Sequence, residues 1–395
     1  MSPSHRTPDP GTKLPQVGTN IFTVMSALAT QRQAVNLGQG FPDFPCDPAL
    51  IGAVSEAMNQ GLNQYPPMTG IAPLRQAIAA KLDQWHGPRG GRSYDADREI
   101  TITAGATQAI LTSILAVVRP GDEVIVLEPC YDSYVPNIEL AGGIPVRVAL
   151  TPGSFRPDFD LIAAALGPRT RAILVNTPHN PSATIWSEQD MLRLQELLAP
   201  TDVFVISDEV YEHMVFDGRE HHSVARYPGL AARAFIVSSF GKTYHVTGWK
   251  VGFVAAPERL SIEFRKVHQF NVFTVNTPMQ HGIARYMGDP AHYLQLPAFY
   301  QRKRDLFRDG LARTRLRVLP SEGSYFQCVG IADLAVPERS LPEAAFCEWL
   351  TSEIGVAAIP LSAFYGNGFD QGVVRFCFAK QDPTLQAALE RLARL

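Results

Sequence analysis

The chain has 395 residues, 46% of them hydrophobic and 18% charged, with a formal net charge of -3. That balance suits a globular protein with a large core and two domains, and it gives nucleic acid or an anionic membrane no electrostatic hold. No apolar stretch approaches the roughly 20 residues that span a bilayer.

Met1 to Asn20 is rich in Pro, Gly, Ser and Thr and lacks the apolar centre of a signal peptide, so residues 1–20 read as a flexible N-terminal arm. Cys46, Cys130, Cys328, Cys347 and Cys377 are odd in number and scattered. They point to reduced thiols in a cytoplasmic protein rather than a disulfide framework or a zinc site. Glu99–Thr103 is strand-like and leads through Gly105 into a helical stretch ending near Val118. Glu123–Leu127 and Ile144–Val148 follow, separated by a helical segment after Tyr131. Ala172–Val175, Val203–Ile206 and Phe235–Val237 continue the series, and Val251–Ala255 is expected to close the sheet. Apolar runs alternating with helices predict an α/β fold, with a mainly parallel mixed sheet buried on both faces over about residues 48–282. Beyond it lies a charged helical pattern over Ala298–Arg315, then strand-like Tyr325–Val329, a helix around Glu343–Glu353 and the strand Val373–Phe378. These describe a smaller α+β unit.

Ligands of open α/β sheets bind at the carboxyl ends of strands, and the candidate binding residues recur there. Gly105-Ala106-Thr107 opens a helix after a strand, so its N–H groups and the Thr107 hydroxyl can hold a phosphate; a tight turn with a helix cap uses the same residues. Asp208 ends a strand in Ser207-Asp208-Glu209-Val210-Tyr211, where a carboxylate can pair with a cationic nitrogen of a ligand and where Asp is also often an ordinary helix cap. Asn180 sits in Asn176-Thr177-Pro178-His179-Asn180-Pro181, which also reads as an Asn-Pro turn. The sharpest pattern runs from Ser238 to Lys250, with Lys242 three residues after Ser239 and eight before Lys250. An aldehyde cofactor carrying a phosphate needs that layout: one amine for a Schiff base, and a hydroxyl with a second cation for the phosphate.

Together these segments resemble the pyridoxal-phosphate aminotransferases of fold type I, over about Asn20 to Leu395. Asn36-Leu37-Gly38-Gln39-Gly40-Phe41-Pro42-Asp43-Phe44 and Gly248-Trp249-Lys250 are similar to the methionine, kynurenine and glutamine transaminase branch. The resemblance implies pyridoxal 5'-phosphate as cofactor, with Lys242 as the Schiff-base lysine and general acid–base. It implies Asp208 at the pyridine nitrogen, Tyr211 and Asn180 at the phenolic oxygen, and Tyr131 stacked on the ring. Gly105, Ala106, Thr107, Ser239 and Lys250 would surround the phosphate. Lys250 replaces an arginine common in aminotransferases, and lysine binds phosphate as a point charge rather than a fork. Tyr65 matches a tyrosine that reaches the phosphate from a neighbouring subunit, which implies a homodimer with shared active sites. The same resemblance makes residues 21–47 and 283–395 one discontinuous small domain.

An amino acid also brings a carboxylate, whose planar recognition calls for arginine. Arg375 lies between Val374 and Phe376, where a charge is costly to bury unless paired, and it matches the carboxylate arginine of these enzymes. Gly40 and Asn180 would assist it. Phe22, Tyr131 and a neighbouring subunit's Phe273 would then line an apolar, aromatic pocket. Such a pocket suits methionine first, and also kynurenine, glutamine, phenylalanine, tyrosine or leucine as donor to a 2-oxo acid. Two other readings stay open: β-elimination from cysteine S-conjugates on the same cofactor, and a cofactor-binding sensor without catalysis. The arm is too short and too poor in basic residues to be a DNA-binding module. His179, His245 and His268 lack metal-ligand spacing, so no metal is expected.

Overall fold

The β-branched runs of the middle chain become strands; this computed structural model describes residues 11–331, 334 and 341–395. The arm expected at Met1–Pro10 lies outside the described residues, and from Gly11 to Asn20 the chain is irregular and mostly exposed. In chain order the strands are β1 (Val35–Asn36), β2 (Ile100–Thr103), β3 (Glu123–Glu128), β4 (Ile144–Ala149), β5 (Thr170–Asn176), β6 (Phe204–Asp208) and β7 (Ala234–Ser239). They continue with β8 (Gly252–Ala255), β9 (Arg317–Val318), β10 (Phe326–Gly330), β11 (Val356–Ala357), β12 (Ile359–Pro360) and β13 (Val373–Cys377).

The large sheet has the order β2-β8-β7-β6-β5-β3-β4. From β7 to β4 neighbours are parallel, whereas β8 runs antiparallel to both β2 and β7. The run expected to close the sheet therefore lies one strand in from the edge, which β2 occupies. Gly252 permits that insertion: a Cβ there would stand 2.6 Å from the Ser238 carbonyl oxygen and 3.2 Å from Gly105. Alternate side chains of a strand point to opposite faces. Val124, Val126, Leu174 and Ile206 enter one core with Ile114 and Phe264, while Ile125, Leu127, Ile173 and Val205 enter the other. Burial on both faces explains why the strand sequences are apolar almost throughout.

A smaller antiparallel sheet has the order β12-β13-β10-β9, and β1 pairs in parallel with β11. The helix Ile21–Arg32 packs against β11 and the turn at 350–354. The segment between this helix and Pro48 thereby joins the last third of the chain. Two expected helices end differently. The charged pattern forms Leu296–Leu311, started by a proline at its first turn, where the missing N–H costs nothing. The Glu343 helix is α-helical to Trp349, then widens into a π turn over Leu350–Ile354 and stops at Gly355, φ 82°. Among the described residues no helix is long and apolar enough to cross a membrane.

Candidate active site

Strand β7 ends in Ser239, whose hydroxyl accepts from Gly241 N at 3.2 Å and caps the single helical turn Phe240–Thr243. That cap turns Lys242 toward the cleft. Its Nζ donates to the Tyr325 hydroxyl at 2.9 Å and to the Gly40 carbonyl at 3.3 Å. The Tyr325 hydroxyl in turn donates to the same Gly40 carbonyl at 2.5 Å. Burial pulls the Lys242 amine down to about 8, against the opposing pull of Cys377 and Asp208. A neutral, nucleophilic fraction is thus present near physiological pH.

Asp208 closes β6 and is buried. Its carboxylate accepts from the Tyr134 hydroxyl at 2.6 Å and from Val210 N at 3.3 Å. Burial still raises it to about 6, with the Tyr134 hydrogen bond the largest opposing effect. A carboxylate so placed gains by meeting a cation. Beside it, Asn176 at the end of β5 donates to the Asp208 carbonyl at 2.9 Å and accepts from Asn180 N at 2.8 Å, which fixes the Asn180 turn.

The helix Gly105–Val117 starts at the carboxyl end of β2 without a side-chain cap, so its first N–H groups face the cleft. Gly105 has φ 75°, and a Cβ there would stand 3.3 Å from Lys250 Nζ. The ammonium therefore rests against the open, positive end of the helix. Lys250, Thr107, Ser239 and those N–H groups form an anion cradle that could hold a phosphate.

Arg375, on β13, is 1% exposed. Its Nη1 donates to Asn180 Oδ1 at 2.6 Å and its Nη2 to the Gly38 carbonyl at 3.2 Å. The guanidinium carbon lies 4.0 Å from the Phe326 ring centre, 5.0 Å from that of Phe364 and 5.2 Å from that of Phe22. Burial lowers its pKa, and its Nε has no hydrogen-bond partner. A buried cation with an unmet donor among aromatic rings could receive a carboxylate.

Gly105, Ala106, Thr107, Tyr131, Asn180, Asp208, Tyr211, Ser239, Lys242 and Lys250 line one cleft, with Ile110, Asn176, Val210 and Thr247. Gly40 meets it through Lys242 and Arg375 through Asn180, while Phe22 lies behind Arg375. Tyr65 and Phe273 do not reach the cleft of their own chain. They are 82% and 49% exposed, with ring centres 5.5 Å apart on the surface. Sequence reasoning missed Tyr134, Tyr325, Gly38, Phe326 and Phe364. Tyr325 had passed as a strand residue; Ser324, at φ 60°, turns the chain just before it. Gly38 lies within the Asn36–Phe44 stretch already singled out, and its carbonyl rather than a side chain carries the contact.

A family model for "Aminotransferase class I and II" matches residues 32–392. The chain is 52% identical to the methionine aminotransferase of Escherichia coli over 387 residues, covering 98% of each protein. Among solved structures, an E. coli protein described as having a methionine aminotransferase function matches with TM-score 0.95 and 51% identity, over 98% of this chain and 100% of that one. The N-succinyldiaminopimelate aminotransferase of Mycobacterium tuberculosis matches with TM-score 0.91 and 38% identity, over 98% and 100%.

Proposed function

Because this chain belongs to the class I and II aminotransferases, we propose that its amino donor is an apolar or aromatic L-amino acid, methionine first, and its acceptor a 2-oxo acid. One arrangement carries the reading: an amine and a guanidinium, each bonded to a backbone carbonyl of the Gly38–Gly40 stretch, with aromatic rings packed around the guanidinium. The guanidinium suits the carboxylate of an amino acid, the amine its α-proton, and the rings an apolar side chain.

The family depends on pyridoxal phosphate in general, and the residues suit that group. A Cβ on Gly105 would crowd Lys250 at the anion cradle, and Asp208 is a buried carboxylate without a cationic partner in bonding range among the described residues. Thr107, Ser239 and Lys250 would hold its phosphate, Asp208 its ring nitrogen, Asn180 and Tyr211 its phenolic oxygen, and Tyr131 its face. Pyridoxal phosphate, when bound, supplies an aldehyde for amines and a ring that draws charge from the substrate α-carbon.

Arg375, aided by Asn180, would orient the substrate carboxylate so that its Cα–H faces Lys242. The Lys242 amine would take the α-proton and hold it for delivery on the far side of the amino nitrogen, its position set by Tyr325 and Gly40. Phe22, Phe326 and Phe364 would keep water from the guanidinium. Tyr65 and Phe273 would complete the cleft of a second copy, which makes the working unit a homodimer in the cytoplasm. Residues 48–282 would carry the cofactor site, and 21–47 with 283–395 the smaller unit.

Mixing cofactor-loaded protein with L-methionine and no oxo acid tests this reading. Stoichiometric pyridoxamine phosphate with the matching 2-oxo acid supports it. A cofactor left unconverted overturns methionine as donor.

A further inference from the structure

Asp132 follows Tyr131, and its carboxylate accepts the side-chain amide of Asn20. Asn20 also caps the helix that begins at Ile21, its Oδ1 accepting from Phe22 N at 2.7 Å. Asp132 is thus tied to the turn that sets the Phe22 ring over Arg375. Burial raises the Asp132 carboxyl, while Asn20 and the nearby Arg375 favour its ionised form. Among the described residues Asp132 and Arg375 make no salt bridge.

Across from Phe22 stands Phe364, with ring centres 5.9 Å apart. The Phe364 turn is fastened to the end of β3: Cys130 N donates to its carbonyl at 2.9 Å, and Gly366 N donates to Glu128 Oε1 at 2.9 Å. Tyr131, Asp132, Phe364 and Arg147 border one groove, which shares Tyr131 with the cleft. Arg147 is the groove's lone lysine or arginine among the described residues, and its Nε is committed to Glu128 at 2.9 Å. Beyond the rings of Tyr131 and Phe364 the groove thus presents the carboxylates of Asp132 and Glu139, with Glu128 paired to Arg147, and no uncommitted cation among the described residues. Of these acids Asp132 alone adjoins Tyr131 in sequence and is tied to the Phe22 turn.

We propose that Asp132 is a specificity-determining residue, whose carboxylate excludes amino acids and 2-oxo acids that carry a second carboxylate on a short side chain. Such a ligand would bring like charges together in a partly desolvated site, and repulsion of the wrong ligand is an effective source of selectivity. Side chains ending in a methyl, a ring or a hydrogen-bond donor meet no such penalty. The inference rests on the donor pocket proposed above.

The test uses the cofactor-loaded enzyme and Asp132→Asn, which keeps the size of the side chain and an oxygen for Asn20. The ratio of kcat/KM for L-glutamate to that for L-methionine is expected to rise at least tenfold. An unchanged or lower ratio overturns the proposal. A second measurement needs no variant. Dissociation constants of pentanoate and glutarate for the unreacted wild-type enzyme, read from cofactor absorbance, should differ at least tenfold in favour of the monocarboxylate. Equal constants overturn the proposal. Failure of the wild type to turn over methionine or any other apolar donor would instead overturn the donor reading, and the two inhibitor constants would still decide the role of Asp132.

Discussion

Tyr134 donates its hydroxyl to the Asp208 carboxylate at 2.6 Å, with both groups buried. The phenol opposes the burial that raises Asp208 from 3.8 to about 6. Between those values the native cofactor-free protein binds more protons than the unfolded chain, so the Asp208 contribution is fully present below pH 3.8 and is lost as pH rises through 6. In the cofactor-free protein, Asp208→Asn should therefore be more stable than wild type at pH 8 by at most about 3 kcal/mol, a margin that shrinks toward pH 5. Urea denaturation at the two pH values checks this. A constant margin would mean that Asp208 does not titrate in that window.

Removing the donor itself should act in the opposite sense on chemistry. Tyr134→Phe leaves Asp208 harder to ionise, so the acid limb of the kcat profile should move to higher pH and turnover at pH 7 should fall about tenfold. Steady-state rates from pH 5 to 9 would show whether that limb moves.

Lys242→Ala should abolish turnover while leaving the thermal midpoint within a few degrees of wild type. The amine makes two hydrogen bonds, but its removal also relieves the burial of a cation. Product formation over long incubation and a melting curve are sufficient. Near-normal turnover would remove Lys242 from the mechanism.

Arg375→Ala should lower kcat/KM for amino acid and oxo acid alike by at least about a hundredfold, since each hydrogen bond to a charged group is worth roughly 1.5–3 kcal/mol. Arg375→Lys keeps the charge but loses the planar fork and should fall between the two. Inhibition by a simple monocarboxylate gives a binding readout independent of turnover.

Gly105→Ala should weaken retention of the phosphate-bearing cofactor more than it weakens the fold. A methyl there would stand 3.3 Å from Lys250 Nζ, and φ 75° adds strain of roughly 1–2 kcal/mol for any L side chain. Dialysis followed by the remaining cofactor absorbance measures the loss.

Behind the sheet, Lys81 Nζ and Glu212 Oε1 form an ion pair at 2.6 Å, both about 95% buried, and the Ser238 hydroxyl adds a hydrogen bond to Glu212 at 2.8 Å. Burial would raise the Glu212 carboxyl, yet Lys81 and its neighbours hold it well below the usual carboxylate range. Its contribution is therefore present at neutral pH and is lost as acid protonates it. Lys81→Met should cost about 3–5 kcal/mol at pH 7 by stranding a charge, and Lys81→Met with Glu212→Leu should recover most of that. Urea denaturation of the single and double variants decides it.

The sheet was legible because burial on both faces leaves a signature that polar turns cannot mimic: Ile173 and Leu174, on opposite faces, must both be apolar. Strand order was not legible in the same way. Nothing in Gly252–Ala255 alone says that it inserts between β2 and β7, because the permitting feature is the absence of a side chain against Ser238 and Gly105. At the cleft, residues whose own type suits the chemistry could be read, as Lys242 and Arg375 were, and those that act by supporting such a residue from a distant segment could not. Tyr134 meets Asp208 across 74 positions, and Tyr325 meets Lys242 across 83. Tyr65 and Phe273 stay on the surface of the single chain, so their reach is a question about a second copy.

Gly38 and Gly40 hold their carbonyls against Arg375 and Lys242, with one residue between them. The two charged groups come from segments 133 positions apart, yet both take their position from the same short piece of backbone. That piece couples the two groups, so a substitution that moves its backbone displaces both at once.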